Sequence, residues 1–169
     1  MKALDIFLLS MAIGLLFFTT TLFSSDYPRG FVQPAPEHAA PDRPSSFSAI
    51  VLHTPDAHRA LPFHFIIEDG SRGPDGAIIT CGAWRTQTAV SHTSDAGCNA
   101  AAISIAIRSG HTEAQERALL DLLERLCRAH HIAPSDIGLH GEMEAAPDCP
   151  AGPWDMDALR DELTQRLEK

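Results

Sequence analysis

Three positions in this chain of 169 residues put a metal-ligating side chain at the end of an apolar run or in a stiffened loop. His53 closes the run Ala49-Ile-Val-Leu-His53-Thr54, which carries its imidazole past the edge of whatever core the run enters. His140 closes Gly138-Leu139-His140, and Cys149 sits in Pro147-Asp148-Cys149-Pro150, where prolines restrict the backbone and a thiolate ligand suits the loop better than a packing residue. Rigid elements that end in an exposed ligand are what a precise site needs. Two His and one Cys form a reasonable set for a catalytic zinc, because three protein ligands leave the fourth tetrahedral position to water or substrate. The chemistry would be that of a Lewis acid and a water with its pKa lowered to roughly 7. Spacing alone does not single out this triplet, since nine His in one chain allow many others.

The elements that must hold these residues are legible as short apolar runs. Ser48 to His53, Phe63 to Ile67, Ala77 to Cys81 and Ala101 to Ile107 predict strands, several of them rich in Ile and Val and bounded by turn residues. Asp69-Gly70 and Asp75-Gly76 mark turns, and the segment from Gly82 to Asn99, which has no clear period, reads as a long loop. Thr112 with Gln115 is a capping-box signature ahead of Leu119, Leu122, Leu123 and Leu126, one apolar stripe at helical spacing. Ile137 to His140 predicts a short strand or turn, and Ala158 to Leu167 a closing helix with Leu159, Leu163 and Leu167 on one face. The order implies an α/β fold with a single mixed central β-sheet flanked by helices.

Ahead of that domain the composition changes twice. Ile6 to Phe23 is almost wholly apolar and follows Lys2, which predicts an N-terminal hydrophobic helix over residues 1–25 acting as a signal anchor or signal peptide. No Ala-x-Ala pattern follows it, which favours an uncleaved anchor in the cytoplasmic membrane with the rest of the chain outside, periplasmic or extracytoplasmic. Residues 26–46 contain Pro28, Pro34, Pro36, Pro41 and Pro44 among small and polar residues and read as a semi-extended tether, leaving 47–169 as the folded domain. A formal net charge of −9 argues against a nucleic-acid partner, which usually meets a basic stripe.

Four segments, in order, resemble the zinc-dependent N-acetylmuramoyl-L-alanine amidase family that includes peptidoglycan recognition proteins and phage amidase-type lysozymes. Ala49-Ile-Val-Leu-His53-Thr54 is similar to the family's opening strand, and Phe63-His64-Phe65-Ile66-Ile67 with Asp69-Gly70 to its Tyr-His-Phe-x-Ile and Asp-Gly turn. Ser91-His92 to Asn99 with Ala102-Ile-Ser-Ile resembles its Ala-His…Asn…Ser-Ile-Gly-Ile segment, and His140 to Cys149-Pro150-Ala-Gly152 its closing His…Cys-Pro-Gly. The resemblance implies a peptidoglycan recognition protein-like fold, muropeptides as substrate, and hydrolysis of the amide between N-acetylmuramic acid and L-Ala of the stem peptide by a zinc-activated water. It implies His53, His140 and Cys149 as the Zn2+ ligands, with Asp148 the rival of Cys149. His64, His92, Trp84, Arg85 and Asn99 would line the substrate groove, Arg85 meeting a stem-peptide carboxylate.

The departures from the family pattern bear on mechanism. Phe63 stands where relatives commonly carry a Tyr hydroxyl, Pro147 where they often have Lys or Thr, and Ala106 where some have a catalytic Glu. Glu142 and Glu144, in the segment after His140, are the candidate replacements for the missing base. Only nine residues separate His53 from Phe63, too few for the helix that relatives insert as a groove wall. A zinc-containing recognition module without activity therefore competes with the amidase, and a zinc hydrolase of some other amide is a third reading. Of the thiols, Cys127 beside the leucine stripe is the expected buried one, and Cys81 with Cys98 is a possible disulfide.

Overall fold

A computed structural model of the protein describes residues 47–55, 63–108, 111–144 and 149–169. The expected hydrophobic helix of 1–25 and the tether of 26–46 lie outside the described residues, as do Pro147 and Asp148. Among the described residues no helix is long and apolar enough to cross a membrane.

The core is a five-stranded sheet of β1 (Ala49–His53), β2 (Phe65–Ile67), β3 (Ile78–Thr80), β4 (Ala102–Ile107) and β5 (Ile137–Leu139), in the order β3-β2-β4-β1-β5. β2, β4, β1 and β5 run parallel, and β3 pairs antiparallel with β2 at one edge, which makes the sheet mixed as expected. β4 is buried at every position and β1 at all but its first, which is why both read as continuous apolar runs rather than alternating ones. Strand pairing begins one residue ahead of β2, where the His64 N–H donates to the Ser104 carbonyl at 3.0 Å.

Between β3 and β4 the structure departs from the long loop expected over 82–99. It holds two short helices, α1 (Gly82–Arg85) and α2 (Ala96–Ala101). Helices of four and six residues are too short to show a 3.6-residue period, so a buried anchor marks the first and a local cap the second. Trp84 of α1 is buried and stacks on Phe47, with Phe65 and His130 completing its surround. α2 starts at Asp95, whose carboxylate accepts the Cys98 N–H.

The long helix α3 (Glu113–His130) opens with the expected capping box, Thr112 and Gln115 each accepting the other's backbone N–H at 3.1 Å. Leu119, Leu122, Leu123 and Leu126 are all buried against the sheet, each stabilising the fold by about 1.5–3 kcal/mol. Gly76, in the β2–β3 connection, allows that helix to approach: its φ is +75°, and a Cβ there would meet the Ala114 carbonyl oxygen at 2.6 Å. After a single 3-10 turn and β5 come α4 (His140–Met143) and α5 (Met156–Leu167), the last packing beside α3 through Leu163 and an Arg166–Asp121 ion pair at 2.8 Å. All four cysteines are free thiols, so Cys81 and Cys98 form no disulfide; Cys127 is the buried one.

Candidate metal centre

Parallel strands β1 and β5 are neighbours in register, with Leu52 opposite Leu139, so the next residue of each strand lies at the same end of the sheet. Those residues are His53 and His140. Their rings lie 4.6 Å apart, centroid to centroid. The carboxyl ends of parallel strands are where α/β sheets ordinarily place a site, and here the third candidate is drawn to the same edge by the backbone. The Gly141 N–H donates to the Cys149 carbonyl at 2.7 Å, the Thr54 N–H to the Cys149 Sγ at 3.3 Å, and the Ala151 N–H to the Thr54 hydroxyl. The loop holding Cys149 is thus stitched to the residue after His53 and to the residue after His140.

One ligand atom from each of His53, His140 and Cys149 lies within 4.8 Å of the other two. A tetrahedral zinc spaces its N and S ligands by about 3.5 Å, so side-chain motion of roughly an ångström closes the set. The donor chemistry fits that ion. His140 Nδ1 is buried with no hydrogen-bond partner among the described residues, a costly state for a nitrogen unless something occupies its lone pair.

Burial, and then the nearby charges of His92 and His140, hold the His53 pKa down at about 3, so the imidazole stays neutral and its lone pair available. Burial raises the Cys149 thiol above its usual range, partly offset by the Thr54 N–H. His92 is buried beside them, with Nδ1 3.0 Å from His53 Nε2 and its own Nε2 unpaired among the described residues. Burial first, then His64 and His140, lower its pKa to about 4, so one neutral ring donates to the other.

The residues expected along a groove divide sharply. Asn99 positions His92 rather than facing outward, its Oδ1 accepting the His92 and Thr93 N–H groups at 2.9 Å while its Nδ2 donates to the Thr93 carbonyl. His64 has no exposed surface. Its Nδ1 accepts the Ser104 N–H at 3.0 Å, so Nε2 carries the proton and donates to the Thr88 carbonyl at 3.1 Å. That makes it a core histidine satisfied by backbone and removes it from the groove. Trp84 is likewise a core residue, buried against Phe47, Phe65 and His130; Arg85 beside it is exposed.

The two carboxylates after His140 also separate. Glu142 turns back to accept the Leu139 N–H at 3.1 Å as a cap of α4 and is exposed. Glu144 accepts from His140 Nε2 at 3.1 Å and from the Ser94 N–H, and chiefly that Ser94 bond holds its pKa down at about 2. Sequence reading missed Ser94, Thr54 and the contact between His92 and His53. The four-residue step from His140 to Glu144 was a usable signal for one turn of helix; nothing local marks Ser94. It also missed a buried ion pair at the same sheet edge, where Arg108 after β4 meets Glu68 after β2 at 2.7 Å.

A family model described as N-acetylmuramoyl-L-alanine amidase matches residues 37–152. Among solved structures the fold is similar to that of the N-acetylmuramoyl-L-alanine amidase LysC from Clostridium intestinale URNW, at 22% identity and a TM-score of 0.50, covering 71% of this chain and 87% of that one. It is similar as well to a mutant endolysin from Bacillus subtilis, at 15% identity and a TM-score of 0.53, covering 73% and 86%. The catalytic domain of XlyA matches at 16% identity and a TM-score of 0.52, covering 79% and 95%. No curated protein matches the chain.

Proposed function

The chain belongs to the N-acetylmuramoyl-L-alanine amidase family, and from that premise we propose that it cleaves the amide between N-acetylmuramic acid and the L-Ala of the peptidoglycan stem peptide, using zinc held by His53, His140 and Cys149. The observation that carries this reading is the convergence of those three side chains at the shared edge of β1 and β5, one of them with an orphaned buried nitrogen. When bound, zinc supplies a Lewis acid for the amide carbonyl and a water with its pKa lowered to roughly 7. The two histidines enter as neutral ligands, and Cys149 gives up its thiol proton with the Thr54 N–H in place to support the thiolate. Arg85, which is exposed, would offer a cation to a stem-peptide carboxylate. The apolar run of residues 6–23 and the Pro-rich 26–46 support a tether that holds this domain outside the cytoplasmic membrane.

Zinc-dependent muropeptide recognition without cleavage is a second reading with its own support. Phe63, beside His53, has no hydroxyl; Ala106, opposite His53 in the β1–β4 register, has no carboxylate. Glu142 is committed to capping α4, and Glu144 already accepts two hydrogen bonds. To decide, the full-length protein in mild detergent is loaded with zinc and incubated with defined muropeptides, and products are read by mass spectrometry beside a His53→Ala control. Release of free stem peptide by the native protein alone establishes the amidase. No cleavage, with stoichiometric zinc and retained muropeptide binding, leaves a recognition module.

A further inference from the structure

We propose that Glu144 is a positioning residue of the metal site, whose carboxylate fixes His140 in the Nε2–H tautomer so that Nδ1 is the ligating nitrogen. The inference rests on the zinc reading above. Glu144 follows His140 by four residues, and its Oε2 lies 3.1 Å from His140 Nε2. A carboxylate accepts hydrogen bonds, so the shared proton sits on Nε2. That leaves Nδ1 with a free lone pair, and Nδ1 is the nitrogen of His140 that is buried without a partner among the described residues. The two halves of the ring therefore differ in role: one nitrogen is anchored on Glu144, and the other is left with a free lone pair on a residue that gathers with His53 and Cys149.

The carboxylate is itself fixed from a second side, since the Ser94 N–H donates to its Oε1. Ser94 belongs to the turn that Asn99 braces and that carries His92, whose Nδ1 lies 3.0 Å from His53 Nε2. One short loop thus braces the outer nitrogens of both candidate ligand histidines, His92 directly and Glu144 through Ser94. Histidine ligands ordinarily depend on such an outer partner for orientation and basicity, and its loss typically weakens metal binding by about 10–100-fold. With both oxygens engaged, Glu144 acts through His140 and not as the base of the reaction.

The test uses the full-length protein in mild detergent, with imidazole 15N NMR of the metal-free form and zinc affinity from chelator competition. In the wild type, His140 is expected to carry its proton on Nε2 and zinc to bind stoichiometrically. Glu144→Ala is expected to lose the tautomer preference and about 10–100-fold in zinc affinity, and Glu144→Gln, whose amide oxygen can still accept the Nε2 proton but whose NH2 cannot accept the Ser94 N–H, to recover part of that affinity. A change in the visible spectrum of the cobalt-substituted Glu144→Ala protein would mark an altered ligand geometry that a purely structural role would not produce. An Nδ1-protonated His140 in the wild type overturns the proposal even where Glu144→Ala fails to fold. So does unchanged zinc affinity in Glu144→Ala. Absence of zinc binding by the wild type, with the expected tautomer present, overturns the zinc reading and the proposal with it.

Discussion

The ring of Phe63 stands 5.5 Å from the imidazole of His53, centroid to centroid, and is buried there. The position where the family resemblance implies a tyrosine hydroxyl therefore lies beside a candidate ligand and brings only hydrocarbon. Ala106, the residue opposite His53 on β4, is fully buried and equally inert.

Phe63→Tyr is expected to raise the rate of muropeptide cleavage by about tenfold, part of the roughly 10²–10³-fold that a single oxyanion donor is worth. The hydroxyl adds little volume to a ring that already lies beside His53. Steady-state kinetics on one defined muropeptide check this, and a rate that stays level or falls would show that the ring does not face the reacting carbonyl.

His64→Leu should unfold the protein more easily without touching the metal site. It strips the partner from the Ser104 N–H and from the Thr88 carbonyl, each left in or near the core at a cost of about 1–3 kcal/mol. Urea denaturation measures the loss, and zinc titration of the folded fraction should match the wild type. A loss of zinc affinity larger than the loss of stability would return His64 to the site.

Arg108→Ala leaves the Glu68 carboxylate, which is 1% exposed, without its cation. Removing one partner of a buried pair costs about 3 kcal/mol or more. Changing Glu68 to Gln in the same protein should restore part of that stability, because the stranded charge is gone. Denaturation midpoints of the single and double variants decide it; equal destabilisation in both would mean that charge burial is not the cause.

The metal-free protein should lose stability as pH falls below about 6.5. His53 and His92 have folded pKa values of about 3 and about 4, below the unfolded value near 6.5, so between these limits the unfolded chain binds more protons. Their contribution is complete above pH 6.5 and is lost progressively toward pH 3. Cys127 works at the other end: burial raises its thiol to about 11, so its contribution is present below about pH 9 and lost above it. Urea midpoints measured with chelator should climb from pH 4 to about 6.5 and level off toward pH 8, and a flat profile below pH 6.5 would refute the buried neutral histidines.

The sequence by itself determined the strands of the sheet and the candidate triplet. Parallel strands buried on both faces must be apolar throughout, so β1 and β4 announced themselves, and the Thr112–Gln115 box with its leucine stripe set the start and face of α3. His53 and His140 were legible because each closes an apolar run, and Cys149 because it sits in a proline-stiffened loop, the three in the order that the family resemblance implies. Which histidine lines a groove and which holds the core was not legible. His64 and His92 carry the same chemistry in one dimension, and only three-dimensional packing assigns one to backbone partners and the other to His53. The same limit hid Ser94 beside Glu144 and Glu68 beside Arg108, pairs separated by 50 and 40 positions. Local pattern records the period of a strand or helix; partners brought together by the crossing of loops leave no periodic trace, and the tertiary structure alone decides them.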